Sequence, residues 1–383
     1  MSVKRVQIKD IYHLRIAGGP NQYCGWPVMG GIHNFGGGEI AVIFVQGTSA
    51  YRTPGDLDHY TIESNSKVIL RRSLDHGETW PDELAVEVFD NSIPLDDLVP
   101  QEDVDRLSID ISRPESILYA GRSMVTASRV IGSVRVPRER YPVRPIPFVL
   151  RSADKGYTWE KIPILLPLYH LDSGFGFSQY VKMPDGSVLM GMPGTSGPDY
   201  NKFAIRTELY RSTDNGESWY WTHTLFWDPF NETHASYPNP RLLPSGRLAC
   251  TLGLWKDPRN RVRWMVIMYS EDGGINWTEP RRIGWWGISP YPLVLRDGRL
   301  LLVYAWRQSK PYGIRGMISE DEGETWSEEF IIRDDAASPD LGYPVATEQD
   351  NGRIFTAYYY NVDEQPFLRG GPRHIAASLF TLN

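Results

Sequence analysis

Cysteine is almost missing from this chain. Cys24 and Cys250 are the only two in 383 residues, which permits one disulfide at most and excludes a C-x-x-C redox or zinc motif. There is no basic run, and the formal net charge is −7, so the electrostatic footprint of a nucleic-acid binder is missing too. A local group of arginines can still attract an anion inside an acidic protein. No apolar stretch approaches the ~20 residues of a membrane span. The start, Met1-Ser2-Val3-Lys4-Arg5-Val6, lacks the apolar core of a secretory leader. These absences predict a cytoplasmic protein, or a secreted one whose leader has been removed, with neither nucleic acid nor membrane as partner. His33, His59, His170 and His234 stand far apart and form no H-E-x-x-H spacing, so neither metal nor cofactor is expected. Composition fixes no oligomeric state.

What is abundant is one short pattern, S-x-D-x-G-x-[TSN]-W. It occurs five times, at Ser73–Trp80, Ser152–Trp159, Ser212–Trp219, Ser270–Trp277 and Ser319–Trp326. The Asp can accept N–H groups from the residues that follow it, and the Gly admits positive φ. The Trp is an apolar plug able to pack between neighbouring sheets. No nucleophile and no alternating set of acidic ligands is present, which excludes a calcium loop. The octapeptide is therefore a structural brace. It resembles the Asp box of the sialidase-type β-propellers, and that resemblance implies the fold.

Each octapeptide ends a longer unit: an aromatic- or Gly-Pro start, an apolar strand, a D-G-R-type turn and a second apolar strand. The fifth unit runs Tyr291–Arg296, turn Asp297-Gly298-Arg299, then Leu300–Arg307. The sixth is Tyr343–Gln349, turn Asp350–Arg353, then Ile354–Tyr360. The fourth begins Tyr237-Pro238 and turns at Pro244–Arg247; the third turns at Pro184-Asp185-Gly186. The first begins Gly25-Trp26-Pro27 and turns at Gly36–Gly38, and the second is read with a turn near Gly121-Arg122. Glycine turns between β-rich runs are hairpin signals. Six such units predict an all-β, six-bladed β-propeller as one domain over residues 1–383. The last blade's third strand is expected at His374–Thr381. Its fourth is expected from the N-terminal segment Arg5–Arg15, closing the ring and removing an open edge.

The repeat also sorts residues by face. D-G-R turns and octapeptides share one face. The loops before each first strand, and between second and third strands, occupy the other. That open face is predicted to gather Trp26, Arg52, Asp56, Asp58 and His59 from blade one. From blade two come Asp110, Arg113 and the basic loop Arg129–Arg144, and from blade three His170, Asp172 and Gln179. Blade four adds Glu232, His234, Tyr237 and Arg263. Blade five adds Arg307 and Arg315, and blade six Asp334, Asp335, Asp340, Tyr343 and Arg373. Arginine forks bind carboxylates in pairs of bonds, carboxylates and tyrosine serve as acid, base or nucleophile, and Trp and Tyr faces stack on sugars. The set suits an anionic carbohydrate.

The sialidase resemblance implies roles residue by residue. The family's nucleophilic Tyr stands at the start of the last blade's inner strand, which here is Tyr343. Its acid/base Asp lies in blade one's loop, which here holds Asp58 and Asp56. Its Arg-Ile-Pro motif falls where this chain reads Gly25-Trp26-Pro27, with Arg15-Ile16-Ala17 an earlier echo. Its activating Glu falls where this chain reads Tyr237-Pro238, leaving Glu232 or His234 from the preceding loop as substitutes. Arg263, Arg307 and Arg315 are candidates for the remaining carboxylate-binding arginines; apart from the resemblance, the open-face set adds Trp26, Arg113, Asp172, Tyr237 and Asp340 as further expected substrate contacts. Each arginine absent from a carboxylate clamp removes bonds of roughly 1.5–3 kcal/mol, and a tyrosine with a free pKa of about 10 is a weak nucleophile without a base. Three readings follow: a sialidase-like exo-acting glycoside hydrolase, a polysaccharide lyase on the same scaffold with His170, His234 or Tyr343 as base, and a non-catalytic carbohydrate-binding propeller.

Overall fold

A computed structural model describes residues 6–94, 108–123, 145–196, 204–256, 262–284, 286–362 and 370–383, with single residues or pairs at 98, 106, 130–131 and 134–135. Six antiparallel sheets stand around a common axis as the blades of a β-propeller. Blades four and five are the plainest. One is built from Thr233–Leu242, Leu248–Lys256, Val262–Ser270 and Arg281–Arg282, the other from Ile288–Val294, Leu300–Trp306, Tyr312–Ser319 and Phe330–Ala336. Blade six takes Gly342–Glu348, Ile354–Tyr360 and His374–Leu382 from the C-terminal end, and its outer strand is Ile8–Ala17 from the N-terminal end. The two chain ends thus pair along one edge, and the ring closes as the sequence predicts.

The octapeptides fold as the hydrogen-bonding chemistry of Ser and Asp dictates. In all five, the Ser hydroxyl donates to the Asp carboxylate and accepts from the Gly N–H. The Asp also accepts the seventh residue's N–H at 2.8–2.9 Å. In four of them the Trp indole donates to the Gly carbonyl. These donors outweigh desolvation and hold the carboxyls of Asp75, Asp154, Asp214 and Asp321 below their usual range. The braces also reach neighbouring blades: Lys155 Nζ donates to Glu39 of blade one, and Glu322 accepts from Ser245 and Arg247 of the preceding blade.

Two details of the sequence reading are corrected. Gly121-Arg122 is not a turn; it lies inside the strand Ile117–Ser123, paired residue for residue with Ile146–Ser152. Gly121 is there for close packing, because a Cβ on it would stand 2.6 Å from the Tyr119 ring and 2.8 Å from that of Phe148, and Gly176 of blade three is glycine because a Cβ there would stand 2.1 Å from the Gly121 carbonyl oxygen. The turn of blade two comes earlier, at residues 111–115. The start of blade five is also displaced. Ser289-Pro290, not Tyr291-Pro292, is the equivalent of Tyr237-Pro238 and Tyr343-Pro344, because the register breaks between Ile288 and Tyr291 as it does between Ser236 and Asn239 and between Gly342 and Val345.

That break positions the site. Proline gives the sheet no N–H and keeps its predecessor out of the right-handed helical region. The predecessors take left-handed angles instead: Trp26 φ 57, Tyr237 φ 61, Ser289 φ 54 and Tyr343 φ 49. For non-glycine residues this costs about 1–3 kcal/mol each, and such strain marks sites where a side chain has been re-aimed. Blade one goes furthest, its inner strand interrupted by the turn Pro27–Gly30 between Gln22–Gly25 and Ile32–Gly36. Buried side chains then lock the blades around the axis. The Gln179 amide donates to the Val28 carbonyl and accepts from Arg241, which in turn reaches the Pro292 carbonyl. Cys24 and Cys250 are both buried and unpaired. No helix among the described residues is long and apolar enough to cross a membrane.

Candidate active site

The bulges of blades one, four and six bring Trp26, Tyr237 and Tyr343 to the axis. Tyr343 is the centre of the group. The Tyr237 hydroxyl donates to the Tyr343 hydroxyl at 3.2 Å, with ring centroids 5.4 Å apart. Tyr359, from the second strand of blade six, stacks on the other side at 5.6 Å. The Arg307 guanidinium lies over both rings, 5.0 Å from the Tyr343 centroid and 5.8 Å from that of Tyr359, and donates to the Tyr359 hydroxyl. Its buried Nε has no hydrogen-bond partner among the described residues. A buried charged donor without an acceptor is costly, so this nitrogen is a ready partner for a bound anion. Burial by itself would disfavour the charge of Arg307, but the surrounding tyrosines and Asp340 raise its pKa above the ordinary value.

Asp340 is the carboxylate of this group. It accepts from the Tyr359 hydroxyl at 2.8 Å and from Arg373 Nε at 2.8 Å, and its Oδ1 is 3.4 Å from His59 Nε2. Burial opposes its ionisation, but the His59 hydrogen bond and the charges of Arg373 and Arg307 prevail and hold it well below the usual carboxylate range. The Arg373 side chain is 1% exposed and also donates to the Gly371 carbonyl and to Ser338. His59 Nε2 meets the Tyr23 hydroxyl at 2.9 Å, and the imidazole packs edge-on against Trp26 at 5.1 Å. Burial raises the phenol pKa values of Tyr23, Tyr237 and Tyr359 well above normal.

A cavity of about 120 Å³ opens beside this group, walled by Trp26, Val28, Met29, His59, Glu63, Arg122, Phe177 and Tyr343. Glu63 and Arg122 form a two-bond ion pair across its wall, both bonds 2.6 Å. Burial works against the charge on Arg122, yet the paired carboxylate raises its pKa overall. The volume is far below the ~300 Å³ at which drug-sized sites begin, so the cavity takes one ring-sized group. Two wider clefts, about 570 and 530 Å³, lie between the closing strand and blade one and behind blade one's long loop. Neither is lined by a residue of the inner-strand bulges, so the cavity beside Tyr343 is where aromatic faces, cations and carboxylates meet.

The sequence candidates divide. Trp26, Tyr237, Arg307, Asp340 and Tyr343 come together. Arg263 stands at the edge of the group, close enough that its charge acts on Tyr237, with its guanidinium 5.5 Å from the Trp255 ring. Asp58 is exposed and caps the short helix His59–Ser64, its carboxylate accepting from the Thr61 N–H and hydroxyl. Asp56 likewise braces its own loop through the N–H groups of Arg52 and Thr53. Glu232 is exposed on a loop held by Asp228. His234 is buried against Trp255 and accepts from the Ile205 N–H.

Arg315 is committed to Glu329 within blade five, stacked on Trp306, and Glu329 also accepts from Tyr304. Asp172 lies at the start of blade three's inner edge, its N–H bonded to the Thr195 carbonyl. His170 packs edge-on against Trp221 of blade three's outer strand. Arg113 and Asp110 are corrected to the opposite face, since their turn adjoins the octapeptides through Lys155 and Asn215. Asp335 pairs with Arg333 at blade five's edge. Most of the loop Arg129–Arg144 lies outside the described residues. Among those described, no group of three His, Cys, Asp or Glu side chains could hold a metal ion.

Four participants carried little sequence signal. Glu63 and Arg122 sit in unrelated segments. Tyr23 is two residues short of the Gly-Trp-Pro start, and Tyr359 is hidden in the run Tyr358-Tyr359-Tyr360. Strand alternation on Ile354–Tyr360 is the one signal that separates Tyr359 from its neighbours.

A family profile described as "BNR repeat-like domain" matches residues 143–356. A sialidase of Clostridium perfringens is 25% identical over 202 residues, covering 43% of this chain and 53% of that protein; the match thus spans about half the length of the curated relative. Among solved structures, a protein of unknown function from Dyadobacter fermentans superposes over 98% of this chain and 100% of its own, with a TM-score of 0.72 and 22% identity. Trypanosoma rangeli sialidase, in complex with the inhibitor DANA, superposes over 97% of this chain and 60% of its own, with a TM-score of 0.55 and 10% identity. At these identities the structural likeness shows the fold.

Proposed function

The chain belongs to the BNR repeat-like domain family, and from that premise we propose a sialidase-like, exo-acting glycoside hydrolase that takes the terminal residue of an anionic carbohydrate. The observation that carries this reading is Tyr343: a phenol at the axis, on a strained bulge, between Tyr237, Tyr359 and the incompletely bonded Arg307, and open to a cavity of ring size. Arg307 holds the sugar's anionic group through its free Nε. Trp26 and Phe177 cover the apolar face of the ring. Tyr343 stabilises the cationic anomeric centre of an oxocarbenium-like transition state or attacks it. His59, oriented by Asp340 and Tyr23, replaces Asp58 as the donor of the leaving-group proton, because Asp58 is engaged as a helix cap.

One observation favours a second reading. The partner of the Tyr343 hydroxyl is another phenol, not a carboxylate base. An arginine that neutralises a uronate carboxylate beside a tyrosine and a histidine equally suits proton abstraction and β-elimination. A panel of aryl glycosides including a sialoside, run beside uronate polymers followed for ultraviolet absorbance, separates the two. Under the hydrolase reading, Tyr343→Phe lowers kcat on the cleaved glycoside by roughly 10²-fold or more without loss of fold. Full turnover by Tyr343→Phe removes the residue from the mechanism. An unsaturated, absorbing product assigns the lyase instead, and silence in both assays with retained glycan binding leaves a binding propeller.

A further inference from the structure

The cavity takes one ring, yet the open face continues past it. Tyr237, whose hydroxyl reaches Tyr343, packs against Gly253, and two residues further along that second strand Trp255 stands in one row with His234 of the inner strand and Arg263 of the third, whose guanidinium lies 5.5 Å from the Trp255 ring. Trp255 lies 5.6 Å from the His234 imidazole. His234 bonds to the backbone of Ile205, and the next residue, Arg206, carries the Trp227 indole at 4.7 Å. Trp227 is 50% exposed, and Phe230, on the same Asp228-braced loop, is 83% exposed. Two aromatics uncovered on one loop offer an exposed apolar surface, and such surfaces rimmed by polar groups mark binding sites. Tyr237 lies at the inner-strand bulge, and the other residues stand on the connection from outer to inner strand or at the ends of strands that meet the face opposite the octapeptides.

Resting on the proposed carbohydrate reading, we propose that this line from Tyr237 to Phe230 across blades four and three is a track for the sugar residues beyond the one in the cavity, so that the ligand is an anionic oligosaccharide and not a lone sugar. Trp255 and Trp227 supply flat apolar faces for successive rings. Arg263 has no ion-pair partner among the described residues and meets an anionic group on the chain. The occupant is fixed by continuity, since the track begins at the hydroxyl pair that borders the cavity.

The test is a binding titration, by calorimetry, of the full chain with oligogalacturonates of one to four residues and with sialyllactose against free sialic acid. The expected result is an affinity that rises roughly tenfold or more from the shortest to the longest member of a series, with that gain removed in Trp227→Ala and reduced in Trp255→Ala and Arg263→Ala. Trp227 is half exposed, so its variant retains the fold even if Trp255→Ala does not. Equal affinity at every length, absence of binding, or an undiminished gain in Trp227→Ala overturns the track. Because the readout is binding, it separates from catalysis. Turnover of an aryl glycoside without a chain-length gain refutes the track and leaves the hydrolase. A chain-length gain without turnover supports the track and refutes the hydrolase.

Discussion

Replacing Asp340 by Asn tests the electrostatic frame of the site most directly. The substitution keeps the shape and leaves an oxygen for the Tyr359 hydroxyl, but removes the charge facing Arg373. Arg373 is 1% exposed and cannot turn to water, so its guanidinium is left buried with only the Gly371 carbonyl and Ser338 hydroxyl. Removing one partner of a buried pair costs about 3–5 kcal/mol. Asp340 itself is 22% exposed, which places the expected loss near ~3 kcal/mol at pH 7. For a chain of 383 residues, an unfolding entropy of about 2.1 cal/mol/K per residue turns that into a fall in Tm of about 4 °C.

The pH dependence supplies a second arm. The folded state depresses the Asp340 pKa, so its contribution is complete above the unfolded value of about 3.9 and is lost as pH falls below it toward the lower folded value. The gap between wild type and variant should therefore narrow by roughly 1.3 kcal/mol for each pH unit below ~4. Urea unfolding at pH 7 and pH 3, followed by tryptophan fluorescence, measures both. A gap under ~1 kcal/mol at pH 7, or one that does not shrink in acid, would refute the argument.

Two further substitutions probe the scaffold. Asp154→Ala removes the acceptor for the Thr158 N–H, the Thr158 hydroxyl and the Ser152 hydroxyl; it should cost about 1–3 kcal/mol in urea unfolding and leave turnover on any identified substrate unchanged, since this turn faces away from Tyr343. Gly176→Ala drives a methyl group to 2.1 Å from the Gly121 carbonyl oxygen. Backbone must move between blades two and three, so a loss of about 1–3 kcal/mol or more is expected, together with a weakened Glu63–Arg122 wall and lower affinity in the cavity; wild-type thermal stability would show that the contact is not tight.

The ring was legible in the chain because its signals are local and repeated. The octapeptide satisfies its own donors within eight residues, so it reads the same in every blade. The Xaa-Pro starts at Trp26, Tyr237 and Tyr343 are local too, because proline alone breaks the ladder there and turns the preceding side chain inward. The closing strand was visible because the sixth unit had no fourth strand of its own to pair with His374–Leu382. Tyr291-Pro292 misled for the same local reason: two X-Pro pairs follow each other in Ile288–Val294, and only the register with Leu300–Trp306 decides which one carries the bulge.

What the sequence determined by itself was the all-β class, the number of blades, the closure and the residues presented at three of the inner bulges. What only the tertiary structure decided was the direction of side chains on long loops and the pairing of groups from distant segments. Asp58 and His59 are adjacent in sequence, yet a helix start uses the first as a cap while the second reaches Asp340. Arg315 and Arg307 lie on one blade, yet Glu329 engages the first and leaves the second at the axis with a free Nε. Glu63 and Arg122 meet only because blades one and two are neighbours in space. Hydrogen bonds within a turn are fixed by nearby residues, whereas a buried charge takes whichever partner the packed blades bring within reach.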